Sequence, residues 1–255
     1  MTEQVYIIAR YTFLEAVRNR LFSLVIVGLL CILGLTEFIG ELAITETSMI
    51  QAAVTASVLR LFIVSLVSLF VVTSMVRDFN DKGIEQLLSL SLTRAGFYFG
   101  KAAGFMALAV IMSAAAGLIL LLYSPPSTVL IWFVSLLCEC LLVIPLSMLC
   151  LFTFSGITTA FTAAVAFYLL SRSMYVILLI SQSPILDTRT YSQQFMNFLL
   201  EGIAYLTPDL NLFTRSEWLE YGAGAAVLGP VLTQTVIYLA LLVAAGLFDL
   251  YRKEF

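Results

Sequence analysis

Three ionisable side chains interrupt long apolar stretches of this 255-residue chain, namely Arg60, Glu139 and Arg172. Such residues are costly inside a membrane, so each marks a functional site or a buried ion pair. Arg60 and Arg172 lie toward the outer ends of their stretches, where a long side chain can snorkel to water. Glu139 lies near the middle of its stretch. We weigh a structural pair with Arg60 or Arg172 equally against a substrate contact; in the second case Glu139→Gln should fold normally but transport less.

Few residues are available for catalytic or metal chemistry. The sequence has no histidine, which excludes His-based catalysis and His metal ligands. The four cysteines all lie in apolar stretches, in neither a disulfide framework nor a zinc spacing. Cys138 and Cys140 flank Glu139, but residues two apart on a helix point about 200° apart and share one ion poorly. A P-loop is absent from the sequence. We therefore expect no enzyme activity, no directly bound cofactor and no metal.

The stretches that carry these residues are predicted to be transmembrane helices. Apolar residues make up 61% of the chain and charged residues 11%, with a mean hydropathy of +1.03. In a soluble domain, apolar residues make up about 45–50% and charged residues about 25%. Six runs approach the roughly 20 residues that cross a bilayer, at about 21–39, 56–76, 98–122, 129–151, 156–180 and 229–249. The predicted fold is an all-α membrane protein with six transmembrane helices, and the net charge of −3 does not suggest nucleic acid.

The basic residues orient this topology. Nine of the thirteen lie on one side of the six-span arrangement. They are Arg10, Arg18, Arg20, Arg77, Lys82, Arg94, Lys101, Arg252 and Lys253. The opposite side holds only Arg189 and Arg215 among many carboxylates. The positive-inside rule therefore places both termini in the cytoplasm.

Residues 1–20 are predicted to form an amphipathic helix that lies in the inner membrane interface. Mostly apolar residues recur at helical spacing on one face, namely Val5, Ile8, Ala9, Thr12, Phe13, Ala16 and Val17. Basic residues near the helix suit contact with anionic lipids. A plain cytoplasmic segment before the first span is the alternative.

The longest charged stretch between spans follows the second run. Asp81 can cap a short helix whose first turn carries Glu85. Ile84, Leu87 and Leu88 give that helix an apolar side. The residues alone support equally a docking site for a cytoplasmic partner and an ordinary loop.

Two motifs resemble those of ABC-2 type transporter permeases. Residues 82–94, KGIEQLLSLSLTR, with Gly100-Lys101 after them, are similar to the coupling segment of that family. Residues 8–22 resemble its N-terminal elbow helix, and the six spans fit its topology. The similarity is greatest to the subgroup associated with maturation of copper enzymes such as nitrous oxide reductase. Ser91 stands where the family usually has proline, and Gly83 lies one residue nearer Glu85 than usual.

The resemblance implies a single transmembrane domain, 1–255, with the ABC-2 (type V exporter-like) fold, in a bacterial inner (plasma) membrane. The chain would form the translocation pathway as a dimer, with a homodimer expected. Two copies of a separate ABC ATPase would bind ATP and Mg and drive export. The ATPase would dock on the coupling segment, 77–96. The implied docking residues are Asp81, Gly83, Glu85, Leu87, Leu88 and Arg94.

Small residues recur every fourth position in two of the spans. Gly156, Ala160 and Ala164 form one stripe, and Gly100 and Gly104 begin another. Such stripes let helices approach closely. The first and fifth spans lie at the subunit interface of similar permeases. The fifth-span stripe therefore serves either dimerisation or packing within the chain.

The outer connection, 181–228, is long for a loop. Residues 192–206 are predicted to form an amphipathic helix that ends before Pro208. The connection resembles the re-entrant helix pair of the family. It would gate the outer exit or dock an outer-side accessory protein, and a passive interfacial helix is the alternative.

Other classes of membrane protein remain as alternatives. A non-transporting membrane anchor or assembly protein would use the same cytoplasmic segment only to tether a partner. A secondary transporter would need paired ionisable groups or an inverted repeat, and we find no clear repeat. An intramembrane protease is disfavoured because the spans hold neither two aspartates nor a Ser with a His.

Overall fold

The computed structural model describes residues 2–42, 47–80, 93–154, 156–182, 191–215, 218–219 and 224–252. The helices are α1 (Thr2–Arg18), α2 (Arg20–Leu42), α3 (Thr47–Asn80), α4 (Arg94–Leu120), α5 (Pro126–Thr153), α6 (Ile157–Gln182), α7 (Tyr191–Leu206), a 3₁₀ turn (Ala225–Val227) and α8 (Leu228–Arg252). Six of them, α2 to α6 and α8, are long and apolar enough to cross a membrane. The predictions of an all-α membrane fold and six spans are confirmed, and the chain is a multi-pass membrane protein.

Local sequence sets the helix boundaries. Asn19 separates α1 from α2, and its side-chain oxygen accepts a hydrogen bond from the Leu21 amide at 3.1 Å. Thr93 caps α4 in the same way by accepting from the Gly96 amide at 3.1 Å. Pro126 lies in the first turn of α5, where its missing N–H costs nothing. These caps satisfy amides that a helix start otherwise leaves unpaired.

Helix α3 is much longer than the second apolar run. It has 34 residues, or about 51 Å at 1.5 Å per residue, against about 30 Å of hydrocarbon. The prediction, 56–76, began too late because polar residues such as Gln51 and Thr55 interrupt the hydropathy near its start. Arg60 was expected near the end of its span, and in the structure it lies about 20 Å from the start of the longer helix α3.

The core is built from α3, α4 and α5, which pack against one another. Helix α5 is the most enclosed, with contacts to α6 and α8 as well. In α5 72% of the apolar stretch is buried inside the chain, whereas in α2 and α8 the share is 17%. Three spans therefore form the interior and three lie at its periphery.

Helices α3 and α5 run parallel with a constant register. Arg60 contacts Glu139, and eight residues further along Ser68 contacts Ser147. The two serine hydroxyls lie 2.8 Å apart. Because the offset is the same over two turns, side chains at equal depth face each other along this seam.

Helix α1 packs against α4. Ile8, Thr12 and Ala16 are buried, and a Cβ atom added at Gly104 would lie 2.7 Å from the Cβ of Thr12. Part of the apolar face identified in the sequence therefore packs on protein, and the location of α1 in the inner membrane interface stays a prediction. Amphipathic periodicity identifies an apolar side without telling lipid from another helix.

The two ends of the bundle carry different charges. The basic end holds the start of α2 and α4 and the ends of α1, α3 and α8, with Arg18, Arg20, Arg77, Arg94, Lys101 and Arg252. The acidic end holds the turn between α4 and α5, where the Tyr123 hydroxyl donates to Glu37 at 2.5 Å. Burial and the Glu37 carboxylate raise the pKa of Tyr123 to about 12, so this phenol keeps its proton at neutral pH.

Candidate functional site

A buried ion pair joins the parallel core helices. The Arg60 guanidinium lies 2.7 Å from a Glu139 carboxylate oxygen, and the two side chains are 2% and 0% exposed. Arg60 comes from α3 and Glu139 from α5, at equal depth along the register described above. Two opposite charges at this distance compensate each other, which is the condition for keeping ionised groups out of water.

Further polar contacts surround this pair. The second Glu139 oxygen accepts a hydrogen bond from the Tyr168 hydroxyl of α6 at 2.8 Å. The Arg60 guanidinium carbon lies 5.3 Å from the centre of the Trp132 ring, within the range of a cation–π contact. Ser135, 3.5 Å from Arg60, donates to the backbone carbonyl of Phe213 at 2.6 Å. The buried cluster thus links three spans and the segment before α8.

Arg172 lies one turn beyond Tyr168 on α6, with its guanidinium 3.4 Å from the Tyr168 hydroxyl. It is half-buried, and the Tyr168 hydroxyl stands between it and Glu139. Of the two pairs considered from the sequence, the structure therefore forms the one with Arg60. The expectation that Arg60 snorkels to water is wrong, because the side chain turns inward to Glu139.

Both carboxylate oxygens of Glu139 have protein partners. Glu139 does not line either of two clefts, one beside α7 and one at the basic end of the bundle. This geometry favours the structural pair over a direct substrate contact. One Arg60 terminal nitrogen has no hydrogen-bond partner among the described residues.

A second ionic network lies at the basic end, and we call it the basic-end network: Glu15, Arg77, Asp78 and Lys101. The Lys101 ammonium lies 2.6 Å from Asp78 and 3.6 Å from Glu15. Arg77 also pairs with Glu15, which accepts from the Ser74 hydroxyl at 2.9 Å. Lys101 is only 5% exposed. The network ties α1 to the end of α3 and the start of α4.

The predicted coupling segment is bounded by this network. Asp81, Gly83, Glu85, Leu87 and Leu88 lie outside the described residues. Asp78 lies three residues before Asp81, and Lys101 follows the segment on α4. Both residues belong to the basic-end network, so the network holds the chain on each side of the segment. The pairing of Lys101 was not predicted from the sequence, where the available signal was a lysine close to the start of an apolar span.

Arg94 is the predicted docking residue that the structure does describe. It begins α4 and is half-buried. Its guanidinium donates to the backbone carbonyls of Leu250 and Tyr251 at 3.1 and 2.9 Å. A cation at the end of a helix neutralises the partial negative charge there. Arg94 therefore joins the start of α4 to the last turn of α8.

All members of the two small-residue stripes except Gly156 face the interior of the chain. Ala160 and Ala164 are 0% and 1% exposed, while Gly156 is exposed. Packing of α6 against α3 and α5 accounts for the two alanines. Gly100 and Gly104 face α1. Burial thus favours packing within the chain over dimerisation for this stripe.

The outer connection contains the predicted helix, α7. Its apolar residues Phe195, Phe198, Leu199 and Ile203 are all exposed. Between α6, α7 and the following turn lies a cleft of about 340 Å³ that includes Tyr175, Glu201 and Asp209. Burial raises the pKa of Asp209, although Arg215 and the Asn211 amide oppose that shift.

Cys138 and Cys140 are buried and unbridged. Among the described residues there is no group of three or more His, Cys, Asp or Glu side chains that could hold a metal ion.

In comparisons with known proteins, no known family model matches the chain, and no curated protein matches it.

Proposed function

We propose that the chain is the membrane-spanning subunit of an ATP-binding cassette transporter of the ABC-2 type. It would form an export pathway as a homodimer in the bacterial inner membrane, with both termini in the cytoplasm. Two copies of a separate ATPase would bind ATP and Mg and supply the energy.

The basic-end network is the observation that carries this proposal. It connects α1, α3 and α4 through Lys101, Asp78 and Glu15, on both sides of the segment whose sequence resembles a coupling segment. A force applied to that segment would reach two core helices and the amphipathic helix together. An ordinary loop would need no such attachment.

The peripheral position of α2 and α6 supports a dimer. Only 17% and 22% of their apolar stretches are buried within the chain. These are the first and fifth spans, which form the subunit interface in similar permeases. Their remaining surfaces are available to a second copy or to lipid.

The test is reconstitution with candidate ABC ATPases from the same organism, beginning with any P-loop ATPase whose gene adjoins this one. We expect the ATPase to copurify and its turnover to rise in the complex. Glu85→Arg should abolish the stimulation by reversing a charge on the docking surface. Glu3→Arg makes the same charge change at an exposed site on α1 and should have no effect.

The outcomes separate the alternatives. A stable complex without stimulation would indicate a membrane anchor, the alternative function. Stimulation that survives Glu85→Arg would contradict docking at residues 81–88. Substrate transport without any ATPase would indicate a secondary transporter.

A further inference from the structure

A cleft opens at the basic end where α1, α2 and the end of α3 meet. Its volume is about 450 Å³, and its lining includes Arg18, Arg20 and Arg77 together with Glu15. Three guanidinium groups and one carboxylate give this lining a formal charge of +2. The cleft lies apart from the buried cluster around Glu139.

The uncompensated positive charge of the cleft comes from Arg18 and Arg20. Arg77 and Glu15 belong to the basic-end network, whose two cations and two carboxylates balance. Arg18 and Arg20 are exposed, and neither has an ion-pair partner within the part of the chain that the structure describes. Helix α1 ends at Arg18 and α2 begins at Arg20, so the opposite partial charges of the two helix ends largely offset each other and the two guanidinium groups set the field of the cleft.

An apolar surface continues from this cleft along α2. Leu24 and Val27 follow Arg20 at helical spacing, and both are exposed. They belong to a helix that is long and apolar enough to cross a membrane, and their exposed face could receive an acyl chain. Leu14 and Tyr11 line the cleft from α1 and are also exposed. Tyrosine is typical of the headgroup level.

We propose that this cleft binds the phosphate of an anionic phospholipid headgroup between Arg18 and Arg20, with an acyl chain along the Leu24–Val27 face of α2. The charged cleft continues directly into an exposed apolar face along α2, a combination that fits a headgroup with its acyl chain and that a free phosphate does not use. Arg18 and Arg20 both line the cleft, so two guanidinium groups can donate to the oxygens of a single phosphodiester, which carries a charge of −1. This inference is independent of the proposed transport function.

The test is native mass spectrometry of the full chain released from nanodiscs. The nanodiscs contain phosphatidylcholine with or without phosphatidylglycerol. We expect retained phosphatidylglycerol on the wild-type chain. Each basic residue near a membrane surface contributes enough that its loss weakens binding about fivefold, so Arg18→Gln with Arg20→Gln should weaken retention about 30-fold. Arg10→Gln, exposed on the same helix outside this cleft, should change it little.

The alternatives have distinct results. Equal retention of phosphatidylcholine, or equal loss in Arg10→Gln, would overturn the proposal because binding would not depend on the cleft. Displacement of phosphatidylglycerol by inorganic phosphate would show a phosphate site without lipid specificity. Thermal unfolding of each variant in nanodiscs shows whether it is folded; if the double variant is not, Arg20→Gln alone should still weaken retention about fivefold.

Discussion

Glu139 is held by Arg60 on one oxygen and by Tyr168 on the other. Removing its charge would leave the Arg60 cation buried without compensation. Breaking a buried pair by removing one partner costs about 3–5 kcal/mol. The structure therefore changes the expectation for Glu139→Gln from normal folding to a destabilised fold.

We predict that Glu139→Gln lowers the free energy of unfolding by about 3–5 kcal/mol, measured by denaturant titration in detergent. The double change Arg60→Met with Glu139→Leu should recover most of that loss, because it removes both charges together. Glu41→Gln, at an exposed acidic-end carboxylate, is the matched control and should be neutral. A destabilised double variant would mean that the pair contributes more than mutual compensation.

Asp209 gives a pH dependence outside the spans. Burial raises its pKa above the ordinary 3.8, so the folded form holds more protons than the unfolded form just above that pH. Stability should therefore fall as pH rises through this window. Asp209→Asn, which keeps an acceptor for the Asn211 amide, should remove that part of the slope in thermal unfolding curves. An unchanged slope would assign the dependence to another group.

At the residue scale, the sequence identified Arg60, Glu139 and Arg172 but not their arrangement. Trp132 and Ser135 lie seven and four residues before Glu139 on the same side of α5, and this spacing was a usable signal. Tyr168 was not predicted, because a tyrosine in an apolar span has no distinctive pattern. Pairing between helices depends on register, which no single span encodes.

The contact between α1 and α4 depends on Gly100 and Gly104, where a Cβ atom would meet α1. A Cβ atom at Gly104 would lie 2.7 Å from the Thr12 Cβ and 2.8 Å from the Ala9 carbonyl oxygen. Since the second atom belongs to a helix backbone, relief requires α1 to move away from α4. That movement would also separate Lys101 from Glu15.

We predict that Gly104→Ala destabilises this contact by about 1–3 kcal/mol, the usual cost of overpacking. Hydrogen exchange in residues 5–16 should increase, because α1 detaches more often. Gly34→Ala is the matched control, since a Cβ atom there meets nothing within 4 Å. Equal exchange in both variants would show that α1 does not depend on this close approach.

At the element scale, hydropathy and capping residues located the helices well. The predicted 192–206 helix corresponds to Tyr191–Leu206. The start of α3 was missed by nine residues because polar side chains there are paired within the protein, as Thr55 is with Thr36 at 2.7 Å. Hydropathy assumes a lipid environment and so ends a span too early wherever polar groups satisfy one another.

The distribution of charge across the whole molecule predicts its orientation. We expect a cysteine placed at Glu41 to react with a membrane-impermeant maleimide in intact cells. A cysteine placed at Glu3 should react only after permeabilisation, because the positive-inside rule predicts that the basic end faces the cytoplasm. A chain with its native cysteines replaced by alanine provides the background. The reverse labelling pattern would contradict both the orientation and docking of a cytoplasmic ATPase.

For the molecule as a whole, composition was enough to predict the six spans and the all-helical class. The order of packing was not predictable. Helix α5 is central and α2 peripheral, although both are similarly apolar. Lipid and protein interiors are equally apolar environments, so hydropathy cannot rank spans by burial.

One uninterrupted helix, α3, carries both ionic sites. Arg60 divides it into arms of about 20 Å toward Thr47 and about 27 Å toward Asp78. If the bond to Glu139 acts as a fulcrum, a sideways push at Asp78 swings the opposite tip the other way by about three quarters of the distance. A rigid rotation of this kind would transmit a movement from one side of the bilayer to the other without any helix having to bend.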